Sequence, residues 1–464
     1  MSEILKVLNP ADNSLVGTVE MKSKDDLEKI VDTAYASVND WKSLSVYDRG
    51  DILYKFADLL NTKYKDELAK LNTSELGKPI LQSMEECQDA SEITRQTVER
   101  GKHLYGKVLT SSTPGIGGDL IYTKREPLGV IACIIPFNYP LELTAHKIAP
   151  ALIMGNTVIV KAPTSNPLAV LKMGEILHEA GVPEGVAQFI TCSRDASTEK
   201  IIQSPKVAAI CMTGSTLAGI EIARNSVDTL KTLMFELGGN DGLIIFDDVD
   251  LDKTCEEILT GRIINNGQIC CSSKRLIVHN NIKEKLAYKL AEKLDGLKVG
   301  SAMDPEAQIT TLVSESAAIK VEEYIKRTID QGATCFYGGK REGARVYPTI
   351  LTDVDKDMDI AKDLEVFGPV IPIIGFDTEE EAIEIINNNS YGLSSGILSK
   401  DLERAFRLAQ LIDAGATVIN GTGHYRHYDQ PFGGFKHSGI GREGISATLE
   451  ECSQEKSFIL KSVY

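Results

Sequence analysis

No stretch of this sequence stays apolar for long enough to cross a bilayer. Its longest apolar runs, such as Val130 to Pro136 and Thr157 to Val160, fall far short of the roughly 20 residues that a spanning helix needs. The opening segment, Met1 to Pro10, has no basic region followed by an apolar core, so no export signal is read there. There is no Cys-x-x-Cys pair, which argues against a zinc ribbon or a dithiol redox site. The nine cysteines are odd in number and irregularly spaced. Unpaired thiols of that kind belong in a reducing compartment, and a cytoplasmic location is expected. Basic residues are in the minority, with 50 Lys and Arg against 66 Asp and Glu, for a net charge of −16. A surface that acidic repels nucleic acid and anionic lipid, so neither is expected as a partner. No repeat or low-complexity stretch stands out.

What is present is the composition of an ordinary globular enzyme. The 464 residues are 42% hydrophobic and 25% charged, enough for two or three domains around sizeable cores. Short β-branched runs alternate with longer helical patterns, which predicts an α/β sheet protein. Val130 to Pro136, Thr157 to Lys161, Val186 to Thr191 and Val207 to Met212 read as strands. Leu27 to Asn39, Asp48 to Lys70, Leu141 to Met154 and Asn166 to Ala180 read as helices. That order is a doubly wound half. A second alternation follows, with strands at Leu243 to Phe246, Leu276 to His279, Tyr347 to Leu351, Val370 to Phe376 and Thr417 to Asn420. Helices at Leu251 to Ile264 and Ile282 to Leu294 lie between the first of these. The Gly238-Gly239 break sets the boundary between the halves near Leu237.

Three short segments carry chemistry: Pro136-Phe137-Asn138-Tyr139-Pro140, Glu236-Leu237-Gly238-Gly239-Asn240 and Asn266-Gly267-Gln268-Ile269-Cys270. Together they offer an amide for an oxyanion, a carboxylate base and a thiol nucleophile, which points to covalent chemistry on a carbonyl carbon. Each has a plainer account. A lone cysteine is more often a buried structural residue, as the neighbouring Cys271 illustrates. Glu236 alone reads as a solvated strand-end acid, and Asn138 as a turn residue. Thr213-Gly214-Ser215-Thr216 opens a helix after a buried strand and could hold a pyrophosphate on its free amides, or simply cap the helix through a threonine. Lys161, at a strand end, could reach ribose hydroxyls or merely face solvent.

These segments, with Lys161-Ala162-Pro163, Thr213 to Gly219, Glu365-Val366-Phe367-Gly368-Pro369 and Pro431-Phe432-Gly433-Gly434-Phe435-Lys436, resemble the aldehyde dehydrogenase superfamily over nearly the full length. The resemblance implies a Rossmann-like cofactor domain (residues 1–105 and 129–236) and an α/β catalytic domain (237–444). A small β oligomerisation element (106–128 and 445–464) would complete a homodimer or homotetramer. By the same resemblance Cys270 is the nucleophile, Asn138 with the Cys270 amide forms the oxyanion hole, and Glu236 activates the deacylating water. The cofactor, NADP or NAD, would be met by Ile135, Phe137, Lys161, Thr164, Gly214, Ser215, Leu237, Glu365 and Phe367.

Departures from the family pattern narrow the reading. Members that pass the acyl group to coenzyme A typically lack the glutamate found here at position 236, so hydrolysis to a free acid is favoured over acyl transfer or a catalytically silent homologue. NAD-specific relatives often carry a glutamate where this chain has Thr164, so NADP should be usable and preferred. Ile269 replaces the arginine common in enzymes for phosphorylated aldehydes. His424 and Arg426, in the stretch His424-Tyr425-Arg426-His427-Tyr428, are candidates for binding the far end of a small polar or anionic aldehyde. Succinate semialdehyde, lactaldehyde and sulfolactaldehyde all qualify. A surface salt bridge from Arg426 to Asp429 or to a neighbouring subunit is the competing account. No metal site is expected.

Overall fold

Val130–Ile134, Thr157–Lys161 and Val207–Thr213 are buried along almost their whole length, as parallel strands covered by helices on both faces must be. The computed structural model, which describes residues 3–109 and 118–461, places them in a six-stranded sheet. Its order is Gly439–Ile440, Thr232–Glu236, Val207–Thr213, Val130–Ile134, Thr157–Lys161, Ala187–Ile190. The last five strands are mutually parallel. The chain winds outward from Val130–Ile134 in one direction and restarts on its other side with Val207–Thr213. Between those two strand ends lies the switch point at which open α/β sheets bind ligands.

The second sheet has seven strands, ordered Thr334–Tyr337, Thr349–Val354, Val370–Phe376, Arg275–His279, Gly242–Ile245, Ser395–Leu398, Val418–Ile419. Only the edge strand Thr334–Tyr337 runs antiparallel. The turn Leu237 to Asp241 leads from the C-terminal end of Thr232–Glu236 in the first sheet to the N-terminal end of Gly242–Ile245 in the second.

The structure differs from the sequence reading in several places. The stretch Asp48 to Lys70 is two helices, Val46–Asn61 and Lys65–Leu76; the first starts at a Ser45–Asp48 capping box. The helix Ile80–Gly101, unassigned from sequence, packs against Pro140–Ile153. Its buried face uses Ser83, Ser91, Thr94 and Thr97 alongside Ala90 and Ile93, so apolar periodicity is weak there. Gly439–Ile440, expected in the second half, pairs antiparallel with Thr232–Glu236 in the first sheet. The tail expected to be separate from residue 445 onward begins instead with the helix Ile445–Glu451, whose Ile445 and Leu449 lie in the first core. Only then does Ser453–Leu460 pair with Leu120–Pro127, which also pairs with Val108–Leu109. Residues 110–117 and 462–464 of the expected oligomerisation element lie outside the described residues. No described helix is long and apolar enough to cross a membrane.

Candidate active site

The loop that carries Cys270 is built from an unusual backbone. Asn265, Asn266 and Gly267 all adopt left-handed conformations, with φ of 50°, 53° and 76°. Asparagine tolerates that region better than other side-chain-bearing residues, and a Cβ at position 267 would strike the Gly368 carbonyl oxygen at 2.5 Å. Side chains lock the turn. Asn266 donates to Thr310 Oγ1 (2.8 Å) and accepts from the Thr310 amide (2.8 Å). Gln268 accepts from the Val313 amide (3.0 Å), and Asn265 Nδ2 donates to the Asn138 carbonyl (3.1 Å). The fully buried Arg262 binds the carbonyls of Gly267 (3.3 Å), Val366 (3.0 Å) and Val370 (2.7 Å), tying this loop to the one that carries Glu365 and Phe367. Nothing in the sequence marked that arginine.

Glu236 ends its strand in a buried position, and neither carboxyl oxygen has a hydrogen-bond partner. Burial holds its carboxyl well above the ordinary range, and the nearby Cys270 adds to the effect. Cys270 itself is half-buried. The adjacent Cys271 thiol and burial push it up, so it rests as the neutral thiol. Gly238 and Gly239 are forced by close approach: a Cβ would meet Glu365 Oε2 at 2.5 Å from the first and Leu393 Cβ at 2.9 Å from the second. Glu365 in turn accepts from the Gly239 amide (3.0 Å). The buried Asn138 donates one amide hydrogen to the Gln268 carbonyl (3.0 Å), which fixes the side chain and leaves its second hydrogen free.

All twelve residues named from sequence for catalysis or cofactor contact line one cavity of about 560 Å³. Cys270, Glu236 and Asn138 share it with Ile135, Phe137, Lys161 and Thr164, and with Gly214, Ser215, Leu237, Glu365 and Phe367. It lies at the C-terminal strand ends of the first sheet, across the switch point. Phe137 and Phe367 meet edge-on with centroids 6.0 Å apart. The helix Thr216–Ser226 opens on it, capped by the Ser215 hydroxyl, which accepts from the Ala218 amide (3.3 Å). The capping residue is thus this serine rather than a threonine. The first-turn amides of that helix suit a phosphate, and at Gly214 a Cβ would collide with Met212 Cε at 2.6 Å. The volume and the donor set fit a dinucleotide.

His424 and Arg426 lie elsewhere, on a second cavity of about 410 Å³. Arg426 is not a free anion clamp. Its Nη2 donates to Glu443 Oε1 (3.1 Å), and its guanidinium lies over the Phe432 ring at 4.3 Å. The competing partner Asp429 is held by Arg100 instead (2.8 Å). Burial keeps His424 neutral. Tyr139 and Ile264, which line this second cavity, pack in the same small cluster as Cys270. The thiol lines the first cavity, and the cluster it packs against reaches the wall of the second.

Two charged residues beside the site escaped the sequence reading. Lys147 is buried on Pro140–Ile153 and donates to Thr213 Oγ1 and to Glu443 Oε2, both at 2.7 Å. Its signal was a lysine in a largely apolar helical run. Lys274 donates to the Cys270 carbonyl and lies 3.5 Å from Glu365 Oε1. Among the described residues no three His, Cys, Asp or Glu side chains converge on a metal-binding position.

Cleft and site together define an α/β enzyme in which a dinucleotide-sized cavity opens on a thiol. Comparison with known proteins makes the class specific. The aldehyde dehydrogenase family pattern matches residues 1–458, and the chain belongs to that family, as an NAD(P)-dependent aldehyde dehydrogenase. A lactaldehyde dehydrogenase of Methanococcus aeolicus is 34% identical over 462 residues, 99% of this chain and 97% of that protein. A 3-sulfolactaldehyde dehydrogenase of Priestia aryabhattai is 35% identical, covering 99% and 95%. Among solved structures, a glyceraldehyde-3-phosphate dehydrogenase of Methanocaldococcus jannaschii complexed with NADP superposes with a TM-score of 0.95 at 33% identity. Both chains are covered in full.

Proposed function

We propose that this enzyme oxidises a small polar aldehyde to the free carboxylic acid through a thioester on Cys270, with NADP preferred over NAD. The observation that carries the reading is the meeting of three groups on one cavity wall: a half-buried thiol, a buried carboxyl without partners and a side-chain amide with one hydrogen to spare. Cys270 Sγ, once its proton has left to solvent, attacks the carbonyl carbon as the thiolate, and the new oxyanion is held by Asn138 Nδ2 and the Cys270 amide. When bound, NAD(P)+ supplies the acceptor for the hydride that leaves this carbon. The carbonyl re-forms as a thioester. Glu236, as the carboxylate, then draws a proton from a water molecule that attacks the same carbon; the C–S bond breaks with its electron pair on sulfur, which regenerates the thiolate, and the acid departs.

The protein's own groups suit those roles. A carboxyl raised by burial is, once ionised, a stronger base than an ordinary one. Lys161 and Thr164 would meet the adenosine ribose, and with a hydroxyl at position 164 no carboxylate repels a 2′-phosphate there. The decisive assay incubates enzyme, NADP+ and an aldehyde panel without coenzyme A. Free acid and NADPH should form in equal amounts. NADPH that forms only when coenzyme A is added, with acyl-coenzyme A in place of the free acid, would replace hydrolysis by acyl transfer. No reduced cofactor from any aldehyde would leave a ligand-binding homologue.

A further inference from the structure

We infer that Lys274 is a positioning residue of this reaction: its buried ammonium group holds the Cys270 backbone against the cofactor-sized cavity and lends the nucleophile the positive charge that sustains its thiolate. The inference rests on the reading of Cys270 as the nucleophile and names the group that supports it in that role.

Lys274 directly precedes the strand Arg275–His279, shortly after Cys270. Its side chain is turned into the fold and is only 1% exposed. A buried ammonium group is costly unless partners replace its water. Three do so here. It donates to the Cys270 carbonyl, stands 3.5 Å from Glu365 Oε1 and lies over the Phe367 ring, 5.4 Å from the centroid. Cys270, Glu365 and Phe367 all line the cavity of about 560 Å³, whereas Lys274 stands behind its wall. The Glu365 oxygen that it faces also accepts the Gly239 amide (3.0 Å), from the turn that follows Glu236. One ammonium group therefore ties together the nucleophile, the loop of Glu365 and Phe367 and, through Glu365, the turn beside the base.

The other cations nearby are committed elsewhere. Arg262 serves the carbonyls of Gly267, Val366 and Val370 and the Ser272 hydroxyl. Arg275 serves the carbonyls of Asn240, Ala361, Ile385 and Ile386, and Lys147 is paired with Glu443. The adjacent Cys271 thiol and burial push the Cys270 thiol up, while Lys274 and a hydrogen bond with Glu236 draw it down. Of these last two, only the lysine carries a positive charge. The buried Asp241 carboxyl, pushed up to about 7 by burial, is drawn down by the same ammonium group. A thiol attacks a carbonyl carbon as its thiolate, so a cation beside it enlarges the reactive fraction. Glu365 shares that cation. Loss of the lysine therefore deprives the thiolate of a positive charge and leaves a carboxylate unopposed on the same wall.

The test follows alkylation of Cys270 by iodoacetamide against pH in the full-length enzyme, with the modified residue mapped by mass spectrometry. Lys274→Gln keeps a donor for the carbonyl and removes the charge, so its alkylation midpoint should rise by about one pH unit or more. Its first-turnover burst of NADPH should fall by about tenfold at neutral pH and recover toward wild type as the pH is raised. A loss of packing alone would not recover in that way. Glu365→Gln keeps the lysine and frees its charge, so its midpoint should fall; this variant carries the test where Lys274→Gln does not fold. An unchanged midpoint in Lys274→Gln, or one that does not fall in Glu365→Gln, would overturn this inference alone. Alkylation of Cys270 that leaves NADPH formation intact would instead strike the reading of that cysteine as the nucleophile.

Discussion

The cavity that Cys270 lines and the cavity beside Arg426 are built on different principles. The larger one is walled by strand ends and turns: Ile135 to Asn138, Lys161 to Thr164, Gly214-Ser215 and Glu236 to Gly238. Its wall also carries the side chains of Lys161, Thr164, Ser215 and Glu365, and a Cβ at Gly214 or Gly238 would come within 3 Å of Met212 Cε or Glu365 Oε2. The smaller one is walled by side chains from helix Ile80–Gly101, from Glu142 on Pro140–Ile153 and from the loop His424 to Tyr428. Backbone geometry can serve one cofactor in every relative, whereas side chains can be exchanged one at a time without disturbing the fold. On the proposed function, the contrast assigns the chemistry to the walls of the first cavity.

Substitutions on either side of the sulfur sharpen that division. Cys270→Ala should reduce aldehyde-dependent NADPH formation by about four orders of magnitude, while Cys271→Ala costs about tenfold or less. Comparable losses from both would break the assignment of the nucleophile. Glu236→Gln should slow steady-state turnover by about 10²- to 10⁴-fold yet keep a first-turnover burst of NADPH in rapid mixing, since acyl release is what it disables. In the wild type, deacylation should speed up as pH rises through the elevated titration of Glu236, because only the ionised carboxyl takes a proton from water.

Glu443→Gln leaves Lys147 and Arg426 buried beside a neutral amide, and denaturant unfolding should show a loss of roughly 3–5 kcal/mol. The Glu443 carboxyl is held low in the fold, chiefly by Lys147 and Arg426 against the cost of burial. Its stabilisation is therefore present above the ordinary carboxylate range and is lost as pH falls through its depressed value. Glu142 has the opposite sign: raised to about 7, it penalises the fold increasingly as pH climbs from the ordinary range through that value. Glu142→Gln should raise stability by roughly 1–3 kcal/mol near pH 8 and by almost nothing near pH 4. On the cofactor side, Thr164→Glu should move the NADP to NAD preference by about tenfold toward NAD. An unchanged ratio would place the discrimination elsewhere on that wall.

The same contrast explains what the sequence revealed. Strand-end turns carry their constraints in a few adjacent letters. Glu236 to Gly239 is such a case, because Glu365 and Leu393 leave no room for a Cβ at the two glycines. Most strands of both sheets were legible too, since buried parallel strands read as short β-branched runs, but Ser395–Leu398 and Thr334–Tyr337 of the second sheet were not read from sequence. The side-chain-built wall leaves no such trace. Glu85 and Asp89 sit on a helix whose buried face is half polar, and Arg426 looked like a free cation because Glu443, 17 residues further on, is brought to it only by the fold. One pattern would have misled outright. The only Gly-x-Gly-x-x-Gly run in the chain, Gly439 to Gly444, touches no part of the dinucleotide-sized cavity; its residues form an edge strand and carry Glu443 to Lys147 and Arg426.

The central claim is that one sulfur, on the wall of the cofactor-sized cavity, carries the acyl group. Mass spectrometry of Glu236→Gln, quenched after mixing with NADP+ and an oxidised aldehyde, tests it most directly. The account expects one acyl group per chain, mapped to the peptide at Cys270. An unmodified chain despite NADPH formation, or an acyl group on Cys271, would contradict it.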